Sequence, residues 1–314
     1  MRRRKKHGGL TVNAVAGTHV VFFGLDLSVD KRAGCRGFGF KRFDHAAGDT
    51  VWLQGLKTFQ ETEPHPAAGE RFSTQRHPVQ GFQWADYSAK PARTYTYTVV
   101  ALYGDPANLQ QRIAVEVELT TETEVGAVHS AFFNRGSVAT QEYARRFQNR
   151  PPNVAGPGAY EWLSRGLLEA FVAFLGRAGA GWEMHGAMYE FQWPEALAAV
   201  RAAHRRGAGV HVIFDDLGSK QANETAIAAA QIKALCRGRV HGKLMHNKFF
   251  VLSRNGEPQA VWTGSTNLTE NGIFGHANVG HIVEDGVVAQ AFRVYWDRLE
   301  ADSAVSAPYR AANE

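Results

Sequence analysis

The segment KLMHNKFFVL (243–252), followed by the turn RNGEP (254–258) and the run VWTGSTN (261–267), decides how the fold is interpreted. The first segment is apolar with two polar interruptions, as expected of a strand that is buried along most of its length. The turn and the short apolar run after it predict a second strand. A hairpin of these two strands would bring GSTN back toward His246 and Lys248.

The side chains at the end of this hairpin suit one kind of chemistry. His246 and Lys248 are two residues apart, so both should leave the same face of the predicted strand. An imidazole can attack phosphorus, a lysine can neutralise non-bridging oxygens, and Ser265 and Asn267 can donate hydrogen bonds to those oxygens. The set predicts a phosphodiester site that needs no metal and no cofactor.

HxK at 246–248 followed by GSxN at 264–267 resembles the signature of the phospholipase D superfamily, which includes phospholipases, phosphatidyl transferases and nucleases. The resemblance implies that His246 is a nucleophile that forms a phosphohistidine. It also implies that Lys248 and Asn267 bind phosphate, with Ser265 beside them. The strand–helix–strand pattern of 182–216 is similar to the opening of a family half-domain, and the likeness extends over roughly residues 122–302. The fold class expected is a mixed sheet flanked by helices.

Two features depart from the family pattern. Ser253 stands five residues after the lysine, where the motif usually carries an Asp that is described as supporting the site. An acid that orients the histidine is often found further along in compact members, yet the segment between Glu270 and Glu284 contains none. Either another residue orients His246, or its basicity is weaker than usual.

The family site uses two HxK motifs, in which one histidine attacks and the other protonates the leaving oxygen. This sequence has one convincing copy. His241-Gly242-Lys243 also has the form HxK, but no GSxN follows at a compatible distance, so we interpret it as the approach to the strand. The second histidine is expected either from a symmetric homodimer, which would supply a second His246, or from a missing C-terminal half.

Other polar clusters predict no metal site. Asp215 and Asp216 are adjacent in a strand and should point to opposite faces. His185 and His211 lie within predicted strands, where a histidine is usually structural. The spacings of the remaining histidines, His241, His246, His276 and His281, match no compact zinc pattern.

The first part of the chain predicts a different fold. HVVFFGLD (19–26), GFGFKRF (37–43) and RIAVEVEL (112–119) are short, aromatic or alternating segments separated by turns, which is typical of an antiparallel sandwich. TYTYTVVALYG (94–104) is similar to the penultimate strand of a fibronectin type III domain. We therefore expect a basic flexible tail over 1–17, an all-β immunoglobulin- or fibronectin-like sandwich over 18–121, and the phospholipase D-like half-domain over 122–314.

Composition limits the function less than the motif does. A length of 314 residues predicts two domains, no apolar run approaches a membrane span, and no clear secretory signal begins the chain, so a cytoplasmic protein is expected. Cys35 and Cys236 fall in different predicted domains, so no disulfide is expected. The resemblance implies a nuclease, because single-motif members of the superfamily that dimerise are typically nucleases, and the net charge of +5 is in keeping with that. Net charge alone does not separate a nuclease from the alternative, a phospholipase D that hydrolyses or transfers phosphatidyl groups. The third alternative is an inactive module that only binds phosphate.

Overall fold

The computed structural model describes residues 1–67, 69–138, 140–241, 244–301 and 307–313. The chain divides into two compact units, Met1–Glu124 and Val125–Glu314. The predicted boundary after residue 121 lies close to this division.

The first unit consists mainly of antiparallel strands. The sheets β1-β2-β3-β8 and β10-β9-β4-β5 have four strands each, and β6 and β7 form a small two-stranded sheet. One apolar core joins the two larger sheets, and Phe23 packs in it against the rings of Phe40 and Tyr97 at 5.2 and 4.9 Å. The unit is therefore all-β, as the alternating segments predicted, while its likeness to a fibronectin domain stays a prediction. The elements are β1 (Arg2–His7), β2 (Leu10–Ala16), β3 (Val21–Leu27), α1 (Val29–Arg32), β4 (Cys35–Asp44), β5 (Asp49–Trp52), β6 (Gln54–Gly55), β7 (Phe72–Ser73), β8 (Gln83–Asp86), β9 (Thr94–Asp105) and β10 (Asn108–Thr120).

Residues 1–17 do not form the flexible tail that their composition predicted. They form the hairpin β1–β2 at one edge of the first sheet, with Arg3 opposite Ala14 and Lys5 opposite Val12. The reason lies in β2, whose alternating sequence LTVNAVA buries Leu10, Val12 and Ala14 completely. With β2 fixed in the core, β1 gains a full ladder of backbone hydrogen bonds, although its own side chains stay exposed.

The second unit is built on one mixed sheet with the strand order β11-β17-β16-β15-β12-β13-β14. β12, β13 and β14 run parallel to one another, and the remaining neighbours are antiparallel. The strands are β11 (His129–Phe133), β12 (Trp182–Met188), β13 (Gly209–Asp215), β14 (Cys236–Arg239), β15 (Lys248–Arg254), β16 (Glu257–Gly264) and β17 (Val279–Val283). The helices are α2 (Gln141–Phe147), α3 (Pro152–Ala155), α4 (Pro157–Ser164), α5 (Leu167–Gly176), α6 (Pro194–Arg205), α7 (Lys220–Ala229), α8 (Gly286–Ala301) and α9 (Ala307–Ala311), with a 3₁₀ turn at Lys233–Leu235 and a π turn at Asn271–Gly275.

Helices cover both faces of this sheet. Successive strand residues point to opposite faces, so neighbouring apolar residues of one strand pack against different helices. Phe250 packs on one face with Phe171 of α5 and the buried side of α6. Phe249 packs on the other face against Phe292 of α8, where Trp296 also lies. The predicted strand–helix–strand unit is present as β12-α6-β13. No helix in the described part of the chain is long and apolar enough to cross a membrane.

Candidate functional site

The hairpin of β15 and β16 returns GSTN to the beginning of β15. Phe249 is opposite Thr263, and the turn lies at the far end, where Arg254 is opposite Glu257. The hairpin predicted from the sequence is therefore present, with Gly264 ending β16 near the residue that begins β15.

A close backbone approach at this end requires glycine. Gly264 has φ of +148°, and a Cβ on it would lie 2.1 Å from the carbonyl oxygen of Val279. Glycine lets β16 lie against β17 here and lets the chain turn into GSTN. The loop is then held by Thr266, whose hydroxyl donates to the same Val279 carbonyl at 3.0 Å.

His246 lies before the strand rather than in it. β15 begins at Lys248, whereas the sequence predicted a strand from residue 243. Gly242 and Lys243, which belong to the second HxK sequence, lie outside the described residues. The segment before β15 is held by other contacts, because the N–H of Met245 donates to Asp215 Oδ1 at 3.2 Å. His246 itself is exposed.

Buried polar side chains hold the loops around His246. The carboxylate of Asp215 is fully buried, and its Oδ2 accepts from the backbone N–H of Gly218 at 2.8 Å. Asn223, also fully buried, donates to the carbonyls of Tyr189 at 2.9 Å and Asp215 at 3.0 Å. The Asp215 carboxylate therefore accepts hydrogen bonds from backbone N–H groups, whereas the neighbouring Asp216 forms an ion pair with Lys220 at 3.3 Å. No group of three or more His, Cys, Asp or Glu side chains within the described ranges could hold a metal ion.

Tyr189 connects the two motif residues of the HxK segment. It follows β12, whose last residue, Met188, is opposite Lys248. Its N–H donates to the carbonyl of Asn247 at 2.8 Å. Its ring meets the imidazole of His246 edge-on at 5.1 Å between centroids, and Lys248 Nζ lies 5.3 Å from its ring centre. The phenol ring thus forms a wall shared by the histidine and the lysine.

Lys248 is a buried cation, with only 8% of the residue exposed. Its ammonium donates to the carbonyl of His246 at 3.1 Å. Burial lowers the pKa of Lys248 to about 8, and the negative charge of Glu190 opposes that shift. The site therefore holds a positive charge with little solvation, which attracts an anion more strongly than an exposed lysine would.

Glu190 connects Lys248 to the GSTN loop. The side-chain amide of Asn267 donates a short hydrogen bond to the Glu190 carboxylate. The backbone of the loop also contacts Glu190, because the N–H of Leu268 donates to the Glu190 carbonyl at 3.1 Å. Asn267 Oδ1 is buried and has no hydrogen-bond partner among the residues that the structure describes. His246, Lys248 and Asn267 are thus brought together through Tyr189 and Glu190.

Ser265 is exposed beside this group, but its hydroxyl is engaged elsewhere. It donates to Asn278 Oδ1 at 2.8 Å and accepts from the N–H of Val279 at 3.2 Å. Asn278 in turn donates to the carbonyl of Gly272 at 2.7 Å. Ser265 fixes the GSTN loop to β17 in this arrangement. A bound phosphate would have to draw the hydroxyl away from Asn278 to receive its hydrogen bond.

A cavity of about 330 Å³ adjoins Asn267 and Glu190. Its wall includes Glu270, whose carboxylate accepts a hydrogen bond of 2.6 Å from the hydroxyl of Tyr160. That volume leaves room for groups larger than phosphate on the Asn267 side of the site. The remaining lining residues are Gln192, Thr269, Asn271, Gly272 and His276.

Ser253 does not touch the site. It lies five residues along β15 from Lys248, and at roughly 3.3 Å per residue the two are about 17 Å apart. Ser253 is fully buried, and its hydroxyl has no partner in the described part of the chain. The replacement of the usual Asp at this position therefore changes the core of the sheet, not the groups around His246.

No acid orients the His246 imidazole directly in the described part of the chain. Among the described residues no side chain forms a hydrogen bond with the His246 imidazole, and its ring contact is with Tyr189. Glu190 supplies a carboxylate to the site, but that group is bonded to Asn267. Sequence reasoning missed both residues. The available signal was the position of Tyr189-Glu190 at the carboxyl end of an apolar strand, where polar residues often serve a site.

His185 and His211 lie elsewhere on the sheet. They stack on one another at 5.1 Å between ring centroids, and His185 also meets the ring of Trp296 edge-on. Burial lowers the pKa of His185 to about 3, so it is neutral at physiological pH. This is a packed histidine, in keeping with its structural interpretation.

Comparison with known proteins assigns a family to most of the second unit. Residues 176–300 match the family model described as the phospholipase D-like domain of cardiolipin synthase. This segment therefore belongs to the phospholipase D superfamily, as the HxK and GSxN motifs predicted. No curated protein matches the chain.

Two solved structures are similar to part of the chain. Nuc of Salmonella typhimurium, a phospholipase D family member, is 21% identical over 41% of this chain and 84% of its own, with a TM-score of 0.35. NucT from Helicobacter pylori is 19% identical over 45% of this chain and 89% of its own, also with a TM-score of 0.35.

Proposed function

We propose that the second unit is a metal-independent phosphodiesterase in which His246 forms a covalent phosphohistidine. The observation that carries the proposal is the placement of an exposed imidazole next to the buried ammonium of Lys248, with the amide of Asn267 joined to both through Tyr189 and Glu190. A nucleophile beside a poorly solvated cation suits attack on a phosphodiester, because the cation stabilises the charge that develops on the non-bridging oxygens.

The proposed reaction has two steps. A ring nitrogen of His246 forms a bond to phosphorus while the bond to the leaving oxygen breaks, and a second histidine donates a proton to that oxygen. Water then attacks phosphorus and gives a proton to the second histidine, while the bond from phosphorus to the His246 nitrogen breaks. This restores the imidazole and releases a phosphomonoester; an alcohol in place of water would give a new diester. Lys248, Asn267 and Ser265 bind the phosphate oxygens throughout.

A homodimer would complete this site by supplying a second His246 across a twofold axis. Subunit exchange tests this directly. If each site needs His246 from both subunits, then mixing His246→Ala protein into the wild type lowers the activity per wild-type subunit, because mixed dimers are inactive. Activity that stays proportional to the amount of wild-type protein would contradict a shared site. A missing C-terminal half remains the alternative source of the second histidine.

A nuclease is the substrate assignment we favour, because single-motif members of the superfamily that dimerise are typically nucleases and because a basic protein attracts nucleic acid. Phospholipase D activity is the alternative within the same chemistry. An inactive module that only binds phosphate is the third alternative, and the feature that favours it is Ser253, which stands where the motif usually carries an Asp.

Cleavage of plasmid DNA and of a phosphatidylcholine emulsion in excess EDTA tests these alternatives together. We expect DNA cleavage that is abolished in His246→Ala and retained in His241→Ala, the matched control from the other HxK sequence. Cleavage of the emulsion alone would identify a phospholipase. Phosphate binding without turnover in the wild type would identify a binding module, and activity retained in His246→Ala would exclude the phosphohistidine.

A further inference from the structure

The first unit carries a continuous basic edge. β1 is an edge strand, and all of its side chains are exposed. Residues 2–6 are all Arg or Lys, and none of them forms an ion pair with an acid in the described ranges. Two acids lie nearby and are paired with other groups: Glu122 with the amino terminus at 2.7 Å, and Asp26, which shares a cross-strand row with Lys6 and Thr11, with Arg32 at 3.4 Å. The charge of the edge is therefore available to a partner.

Alternation along β1 places Arg2, Arg4 and Lys6 on the outer face of the sheet, since Arg3 and Lys5 are opposite the buried residues Ala14 and Val12. Alternate residues of a strand are about 7 Å apart, so the three outward charges form a row about 13 Å long. Such a row matches a linear polyanion better than it matches a single anionic group.

The same face continues into an exposed apolar surface. Arg2 is opposite Val15, and Val15 is opposite Phe22, so these three form one row across the strands. Val15 is 38% exposed and Phe22 is 42% exposed. Two strand spacings place the Phe22 ring about 10 Å from the basic edge. Gly24 lies two residues further along β3, and a Cβ placed on it would have no atom within 4 Å. This open space leaves the Phe22 ring accessible to a ligand.

We propose that this outer face, formed by β1, β2 and β3, binds single-stranded nucleic acid. The phosphates follow Arg2, Arg4 and Lys6, and a base stacks on Phe22. Proteins that bind single strands combine these two features, a basic track and an aromatic platform. Protection of an open sheet edge from strand addition explains charges on β1. It does not explain an exposed aromatic ring in register with those charges on the outer face.

Binding at this face requires no chemistry at His246 and can be measured without it. The probe is a fluorescein-labelled oligothymidylate of about 16 nucleotides, followed by fluorescence anisotropy in the His246→Ala background so that cleavage cannot consume it. The test variant is Arg2→Glu/Arg4→Glu/Lys6→Glu. Its matched control, with the same change of charge at exposed positions of the first unit, is Lys57→Glu/Arg76→Glu/Lys90→Glu.

We expect the test variant to bind at least about tenfold more weakly than the control, with a salt dependence reduced by about two in slope, because each lost phosphate contact removes roughly 0.7. Phe22→Leu keeps an apolar side chain but removes the ring, and should weaken binding at least about fivefold, whereas Phe22→Trp should retain it. Melting temperatures of all variants check that each is folded.

Three results would overturn the proposal. Equal losses in the test and control variants would show that net charge alone governs binding. Unchanged affinity in Phe22→Leu would remove the stacking platform. Sedimentation with phosphatidylglycerol vesicles that depends on Arg2, Arg4 and Lys6, without binding of the oligonucleotide, would assign the face to an anionic membrane instead.

Discussion

Raising the pH from 7 to 9 should discharge Lys248 and with it the anion site. Burial lowers the pKa of this lysine to about 8 from the ordinary 10.5. The ammonium fraction then falls from about nine tenths at pH 7 to about one tenth at pH 9, so anion affinity should fall about tenfold over that interval. An exposed lysine would lose almost none of its charge over the same interval.

Two measurements check this. NMR of protein labelled with 13C at the lysine ε carbon follows the titration directly, and the Lys248 signal is assigned by its absence in Lys248→Arg. Competition by sulfate, which does not titrate in this range, reports the effect on binding. Lys248→Arg should bind sulfate equally at pH 7 and 9, because a guanidinium stays charged.

The effect of the Glu190 charge on the Lys248 pKa can be tested in the same way. Glu190 raises the pKa of Lys248 against the effect of burial, so Glu190→Gln should move the titration to a lower pH while retaining a side chain that can accept from Asn267. A Lys248 signal that titrates near pH 10.5, or one that moves upward in Glu190→Gln, would refute the description of the site as a desolvated cation supported by a carboxylate.

Two further predictions concern the scaffold of the site. Gly264→Ala should destabilise the protein more than Gly256→Ala, because both residues have positive φ but only the Cβ at 264 would collide with the Val279 carbonyl. The free energies of unfolding of the two variants, measured with denaturant, should differ by at least about 1–3 kcal/mol. Equal losses of stability would contradict the close approach. Ser253→Ala should change stability by less than about 1 kcal/mol, because the hydroxyl has no partner in the described residues, whereas Ser253→Asp should cost several kcal/mol by burying a carboxylate, without raising activity. Increased activity in Ser253→Asp would show that position 253 acts on the site.

Local pattern was enough to predict the hairpin that carries the motif. The apolar run of β15, the turn and the short run of β16 identify two neighbouring strands, and their antiparallel pairing follows from the short connection. The placement of Asn267 near Lys248 is a consequence of that pairing. The same reasoning was wrong in placing His246 inside the strand, which begins at Lys248. An apolar segment does not show where strand pairing ends, and here the backbone N–H of Met245 donates to Asp215 instead of to a neighbouring strand.

Long-range pairing, in contrast, left no local signal. Tyr189 and Glu190 join the two parts of the motif only because β12 is the neighbour of β15 in a register that puts Met188 opposite Lys248. Nothing within the segment around Tyr189 encodes that neighbour, since a buried strand can pair with any other.

Residue spacing was also a poor guide to distance at Ser253. A motif counts positions, but in an extended strand five positions amount to about 17 Å, so a residue that belongs to the motif can lie far from the chemistry. The converse holds for Glu190, which is far from the motif in sequence and accepts a hydrogen bond from Asn267. For this site, the acid that matters electrostatically is the one that the sheet brings to Lys248, and its effect on the lysine pKa is what the titration of Glu190→Gln measures.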